Sequence, residues 1–99
     1  MGLRPYLEDV LTVSNTSTQI PAASLNLHNR RIEAVDIFVE NGAVRMRLDG
    51  TAPTATVGVL RERGYSRRLN AFEANQARFI RDTDQAENVT IRLTFHEIA

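Results

Sequence analysis

The stretch Val35-Asp36-Ile37-Phe38-Val39-Glu40-Asn41-Gly42-Ala43-Val44-Arg45-Met46-Arg47-Leu48-Asp49-Gly50 decides the fold. Two β-rich runs flank an Asn-Gly pair, the residues that a two-residue type I′ turn demands because both central positions need φ > 0. The expected product is a hairpin with strands over Arg31 to Glu40 and Ala43 to Asp49. Glu40 then faces Ala43. Counting outward, Val39 meets Val44, Ile37 meets Met46 and Val35 meets Leu48 on one face. Phe38/Arg45 and Asp36/Arg47 fall on the other. One face is apolar and the other largely charged, so a slip of one residue would carry the apolar set into water.

Outward from this stretch the chain keeps the same character. Val89, Ile91, Leu93 and Phe95 alternate with Thr90, Arg92, Thr94 and His96, which is the pattern of a half-buried strand. Upstream, Glu8 to Ser14 reads as a first strand ended by the polar run Asn15 to Thr18, and Gln19 to Leu27 as a weaker extended segment broken by Pro21. His28 to Arg31 reads as a turn. Downstream, Asp49-Gly50-Thr51-Ala52-Pro53-Thr54 is a compact loop. Ala55 to Leu60 is a short strand and Arg61 to Tyr65 a turn. Ser66 to Phe72 and Gln76 to Arg81 are two more strands, with Glu73 to Gln76 open to one helical turn. Turn signals recur about every ten residues, the spacing of an all-β domain. The expectation is an all-β fold: an antiparallel β-sandwich or flattened barrel of about seven or eight strands. It forms a single domain over residues 8–99 behind an N-terminal arm at 1–7, in which Pro5 excludes regular structure and Tyr6 offers an amphipathic anchor.

Composition narrows the function classes. Ninety-nine residues at 42% hydrophobic content support one core. Twelve basic residues against twelve acidic ones leave no global field to attract nucleic acid or an anionic membrane. All twelve basic side chains are arginine, which suits forked ion pairs at protein interfaces and equally reflects a GC-rich coding sequence. With no cysteine, disulfides, thiolate nucleophiles and Cys-ligated metals are excluded. No window has the apolar length of a signal peptide or a membrane span, so a soluble protein made in the cytosol is expected.

Residues with chemical potential do not converge in the sequence. His28 lies in a turn and His96 on the polar face of the last strand, and both read as surface residues. Asp82, Asp84 and Glu87 could gather oxygens around calcium, yet they lack the loop glycine and ligand count of a dedicated site, and a solvated acidic turn accounts for them equally. Asp49 to Thr54 lacks the glycine spacing and lysine of a phosphate loop. Paired carboxylates and a nucleophile elbow are absent from the pattern, so neither an enzyme nor a cofactor is expected. Arg61, Arg63, Arg67 and Arg68 surround Gly64-Tyr65, a combination that suits an interface centre as well as an exposed tip.

At Val39 to Leu60 the chain resembles a group of small proteins encoded by tailed bacteriophages and prophages. The pattern runs through Val44-Arg45-Met46-Arg47-Leu48, then Asp49-Gly50-Thr51-Ala52-Pro53-Thr54, then Gly58-Val59-Leu60. It continues weakly through Leu69, Phe79-Ile80-Arg81 and Val89 to Phe95, about two thirds of the chain in all. Members often carry Gly-Asp where this chain has Gly64-Tyr65, and the N-terminal arm does not match. The resemblance implies a virion structural protein without catalytic residues. Within that setting a small cysteine-free β-domain with an arm suits a capsid decoration (cement) protein, bound to the major capsid protein or other virion proteins as a trimer or other homo-oligomer. A tail, neck or fibre component is the alternative within the virion, and a host-facing carbohydrate- or protein-binding module the alternative outside it. The expected contact residues are Leu3, Arg4 and Tyr6 in the arm and Arg63, Tyr65, Arg67 and Arg68 at the basic tip.

Overall fold

The alternation at the end of the chain builds the strand on which one whole sheet is assembled. The computed structural model describes residues 2–21, 32–54 and 56–98, with backbone alone for Leu3, Arg4 and Ile98. Its strands are β1 (Leu3–Val13), β2 (Thr18–Gln19), β3 (Ala34–Val39), β4 (Ala43–Arg47), β5 (Val59–Glu62), β6 (Ser66–Asn70), β7 (Arg78–Arg81) and β8 (Val89–Ile98), and a short helix α1 (Ala71–Gln76) follows β6. In β8, Val89, Ile91, Leu93 and Phe95 are buried while Arg92 is exposed, so one face of the strand is core and the other looks outward. It pairs with β1 on one side and β3 on the other, both antiparallel.

Two four-stranded antiparallel sheets result. Sheet I has the order β1-β8-β3-β6 and sheet II the order β2-β7-β4-β5. Their inner faces enclose one core, centred on fully buried Phe79 and Phe95. The all-β sandwich expected from the sequence is therefore the fold, with eight strands and no closed barrel among the described residues.

The expected hairpin is not one. β3 pairs with β6 and β8 in sheet I, whereas β4 pairs with β5 and β7 in sheet II. Asn41-Gly42 is an arch between the sheets. Val35, Ile37 and Val39 are buried as expected, and so are Val44 and Met46, but the two sets face one another across the core instead of lying side by side. The backbone groups that a hairpin would pair across the turn are taken elsewhere. Glu40 N–H donates to the Thr90 carbonyl at 2.9 Å, Thr90 N–H donates to Asn41 Oδ1 at 2.8 Å, and Ala43 N–H donates to Gln85 Oε1 at 3.0 Å. The Asp36/Arg47 and Phe38/Arg45 pairings dissolve with the hairpin: Asp36 bonds Arg68, Arg47 bonds Asp49, and Arg45 bonds Asp82.

The segment expected as an arm at 1–7 is, from Leu3 on, the start of β1. Leu3, Arg4 and Pro5 oppose Ile98, Glu97 and His96, with a register irregularity between Pro5 and Leu7. Pro5 is tolerated because β1 is an edge of sheet I, where a missing N–H can face outward. The open choice at Glu73 to Gln76 resolves to helix. Asn70 Oδ1 accepts from Glu73 N–H at 2.8 Å and Glu73 Oε1 accepts from Asn70 N–H at 3.0 Å, a capping box that starts α1 at Ala71 and ends the strand expected through Phe72. Most of the extended segment expected at Gln19 to Leu27, and the turn at His28 to Arg31, lie outside the described residues.

Candidate functional site

β5 and β6 are consecutive in the chain yet belong to different sheets, so the turn between them crosses from one sheet to the other along one flank of the sandwich. Gly64 N–H donates to the Val39 carbonyl at 2.8 Å and Val39 N–H to the Tyr65 carbonyl at 2.9 Å, which fastens this crossing to the end of β3. Gly64 has φ +91, a conformation suited to glycine. Both β5 and β6 are sheet edges, and the flank they form is open.

A groove of about 560 Å³ runs between the two edges. Met46, Leu48, Val57 and Val59 are among the apolar residues that line it, and Arg61 and Arg67 among the charged ones. The volume falls within the range of small-ligand clefts, although the groove is a flank between sheets and not an enclosed cavity. Beside it Val57 is 50% exposed, Val59 52% and Leu60 37%, three apolar residues on one short edge segment where a strand normally shows charge.

The loop over Asp49 to Thr54 shapes this flank. Asp49 Oδ1 accepts from Thr51 N–H at 3.0 Å and Asp49 Oδ2 from Arg47 Nη2 at 2.8 Å, closing a tight turn with Gly50 at φ +81. The Arg47 guanidinium holds the Asp49 carboxyl below its ordinary value, and the Thr51 N–H adds to this. Buried Pro53 sits beneath Gly58, where a Cβ would stand only 3.1 Å from the proline Cβ. Thr54 and Val57 exchange backbone hydrogen bonds of 2.9 and 3.2 Å, which delivers the chain into β5. Asp49 and Gly58 themselves line the groove.

The residues expected at the basic tip stand in this region, but they do not form a free cluster. Arg61 stacks on Tyr65 with its Cζ 4.4 Å from the ring centroid. Arg67 bonds Glu73 Oε2 at 2.6 Å, so the acid that caps α1 also ties the helix to the groove. Arg68 donates to both oxygens of Asp36, at 2.7 and 3.1 Å. Arg63 is exposed and has no side-chain partner among the described residues. Tyr65 is half-buried against the core, and so is Tyr6 on β1. Leu3 and Arg4 are placed by backbone pairing at the far edge of sheet I, so the expected contact residues divide between two opposite edges.

Two further expectations change. His96 is on the outward side of β8, as the alternation says, yet it is 6% exposed and not a solvated surface residue. Its Nε2 lies 2.9 Å from Asp36 Oδ2 and carries the proton of that bond, because an ionised carboxylate only accepts. Arg68 holds the Asp36 carboxyl below its ordinary range, partial burial opposes this, and His96 reinforces it. Asp82 is not part of an open acidic turn: it is buried and receives Arg45 Nε at 2.9 Å. Burial alone would raise its carboxyl, but the Arg45 bond and the Asp84 and Thr83 amides outweigh that and lower it. Asp84 and Glu87 remain exposed, and His28 lies outside the described residues.

The exposed run at Val57 to Leu60 was not singled out in the sequence as a site. Its signal was the failure of Val59 and Leu60 to alternate, two adjacent large apolar residues in a strand with polar neighbours. No family model, curated protein or solved structure matches the chain.

Proposed function

We propose that this protein is a structural component of a tailed-phage virion, a decoration protein that binds the outside of the capsid and stabilises the head. The observation that carries the reading is the flank between β5 and β6, where Val57, Val59 and Leu60 are exposed beside a groove edged by Arg61 and Arg67. Apolar surface of this kind, bordered by arginine, is a contact surface for another protein. The resemblance of Val44 to Leu60 to phage proteins supports the setting, and the same residues build the flank. Mechanically, each copy adds a modest buried area across a joint between capsid subunits, and shell symmetry multiplies that contact into a large total.

The test is co-sedimentation of the purified chain with expanded capsids assembled from the major capsid protein encoded beside it. Saturable, stoichiometric occupancy with a rise in capsid melting temperature is expected. Replacing Val59 with Asp should abolish the occupancy while leaving the isolated domain folded. Absence of occupancy, or binding to tails alone, refutes the decoration role.

A further inference from the structure

We propose that the chain assembles head to tail through the two edges of sheet I, β6 of one copy pairing antiparallel with β1 of the next. This deepens the virion reading by naming the surfaces of self-association, and its test uses the purified chain alone, so failure to bind capsids and failure to self-associate are separate results.

The argument starts from the register. Four rows run straight across sheet I. Glu8 opposes Thr94, Thr94 opposes Asp36, and Asp36 opposes Arg68. The next row is Asp9, Leu93, Ile37 and Arg67; its neighbours are Leu7, Phe95, Val35 and Leu69, and Val10, Arg92, Phe38 and Ser66. Two rows thus begin in an acid on β1 and end in an arginine on β6, and a third begins and ends in leucine. Every step across the sheet is antiparallel, so β1 and β6 run in opposite directions. A second copy placed beside the first with its strand direction unchanged therefore presents β1 antiparallel to β6.

If each row continues without stagger into the next copy, Arg68 meets Glu8, Arg67 meets Asp9 and Leu69 meets Leu7. Facing is preserved as well. Asp36, Arg68 and Glu8 share the outward side, while Val35 and Leu69 share the inner one with Leu7 and Asp9. The groups needed are available. Glu8 has no side-chain partner among the described residues, and Asp9 accepts only the amide of Val10, at 2.8 Å. Arg68 commits two of its five N–H groups to Asp36 and Arg67 one to Glu73, leaving donors on each for a second carboxylate.

Charge on an edge strand commonly serves to block pairing. Here the two edges carry opposite signs at matching heights, which repels like edges and selects unlike ones. The contact is heterologous, so it closes into a ring where the rotation allows.

The decisive variant is Val10→Cys with Ser66→Cys, made in a chain that has no cysteine of its own. Both positions are exposed and end the same row. Within one copy they are three strand spacings apart, roughly 14 Å, too far for a disulfide. Mild oxidation is expected to link copies covalently, and to link the displaced pair Val10→Cys with Asn70→Cys much less. Reversing the acidic edge, Glu8→Arg with Asp9→Arg, is expected to weaken self-association on the order of tenfold or more at low salt without unfolding the domain. Arg67→Glu with Arg68→Glu should do the same, and an equimolar mixture of the two variants should reassociate, because each reversed β1 then meets a reversed β6. A chain that sediments as a monomer at every concentration overturns the proposal. So does an oligomer that the matched cysteines do not link preferentially, and so does a mixture of folded variants that stays dissociated. If the Arg67/Arg68 variant does not fold, the cysteine pair and the β1 reversal decide the matter.

Discussion

Substituting Gly42 with alanine tests whether the Asn41-Gly42 turn is an arch clamped by a distant loop, and Gly64 supplies the control. Both glycines have positive φ, +72 at Gly42 and +91 at Gly64, so alanine at either costs about 1–2 kcal/mol in backbone strain. About 0.4–1 kcal/mol of that is offset by the reduced entropy of the unfolded chain. At Gly64 nothing lies within 4 Å of the added Cβ, and the net loss should be about 1 kcal/mol. At Gly42 the Cβ would overlap Gln85 Oε1 and stand 2.9 Å from Val89 Cγ2. Gln85 must withdraw, and the part-buried Ala43 N–H that donates to it loses its acceptor, which adds about 1–3 kcal/mol. Gly42→Ala is thus expected to cost about 2–4 kcal/mol in total, or some 10–25 °C in Tm for a domain of this size. Urea denaturation followed by far-UV circular dichroism reads the difference, with the m-value unchanged if the native state keeps its shape. In a Gln85→Ala background the same bond is already gone, so Gly42→Ala should cost about 1–2 kcal/mol less than in the wild-type chain. Equal costs at Gly42 and Gly64, or strict additivity with Gln85→Ala, would refute the clamp.

Asp82→Asn should destabilise the domain by about 1–3 kcal/mol at neutral pH, because it breaks the charge-assisted bond to Arg45. The folded-state carboxyl lies below its ordinary 3.8, so its contribution is present above that pH and lost as pH falls through the folded value; the gap between wild type and variant should close below about pH 4 in acid titrations of stability. Phe79→Ala removes a fully buried ring at the centre of the core and should cost about 3–5 kcal/mol, whereas Phe72→Ala, on a residue 71% exposed, should stay within about 0.5 kcal/mol by the same denaturation assay. Asn70→Ala opens the capping box of α1 and should lower stability by about 1 kcal/mol.

Alternation of apolar and polar residues was enough to place β3, β4 and β8 and their faces, but not the bounds of every strand: β1 starts at Leu3 and not Glu8, and the strand expected over Ala55 to Leu60, with a turn from Arg61, is β5 over Val59–Glu62. Val35, Ile37 and Val39 point inward, as do Val44 and Met46, and β8 is read correctly along most of its length. What alternation does not encode is the partner. A hairpin and an arch bury the same residues of both strands, and the difference lies in whether the turn's backbone groups bond one another or bond a third segment. Here Thr90 and Gln85 supply the partners, 49 and 42 residues from the groups they meet, and no local pattern reports a contact of that range. The Asn-Gly signal was real as turn chemistry, since Gly42 does take positive φ, but turn chemistry constrains two residues and not the sheets on either side.

The same separation between face and neighbour explains the side chains that mattered for the site. His96 occupies the outward face that its position in the alternation assigns, and it is nonetheless buried because Pro5 and Ala34 flank it on β1 and β3 while Asp36 bonds its ring. The arginines near Gly64 are where the sequence put them, yet Asp36 and Glu73 reach them only because β3 and α1 pack against β6. Partners of this kind pair Arg67 and Arg68 and leave Arg63 without one among the described residues, and the unusual feature lies next door, in the exposed apolar pair Val59 and Leu60 that opens β5. An apolar edge of this kind is a surface whose cost in water falls when another chain covers it, and that cost is set by Val57, Val59 and Leu60 and not by the count of positive charges beside them.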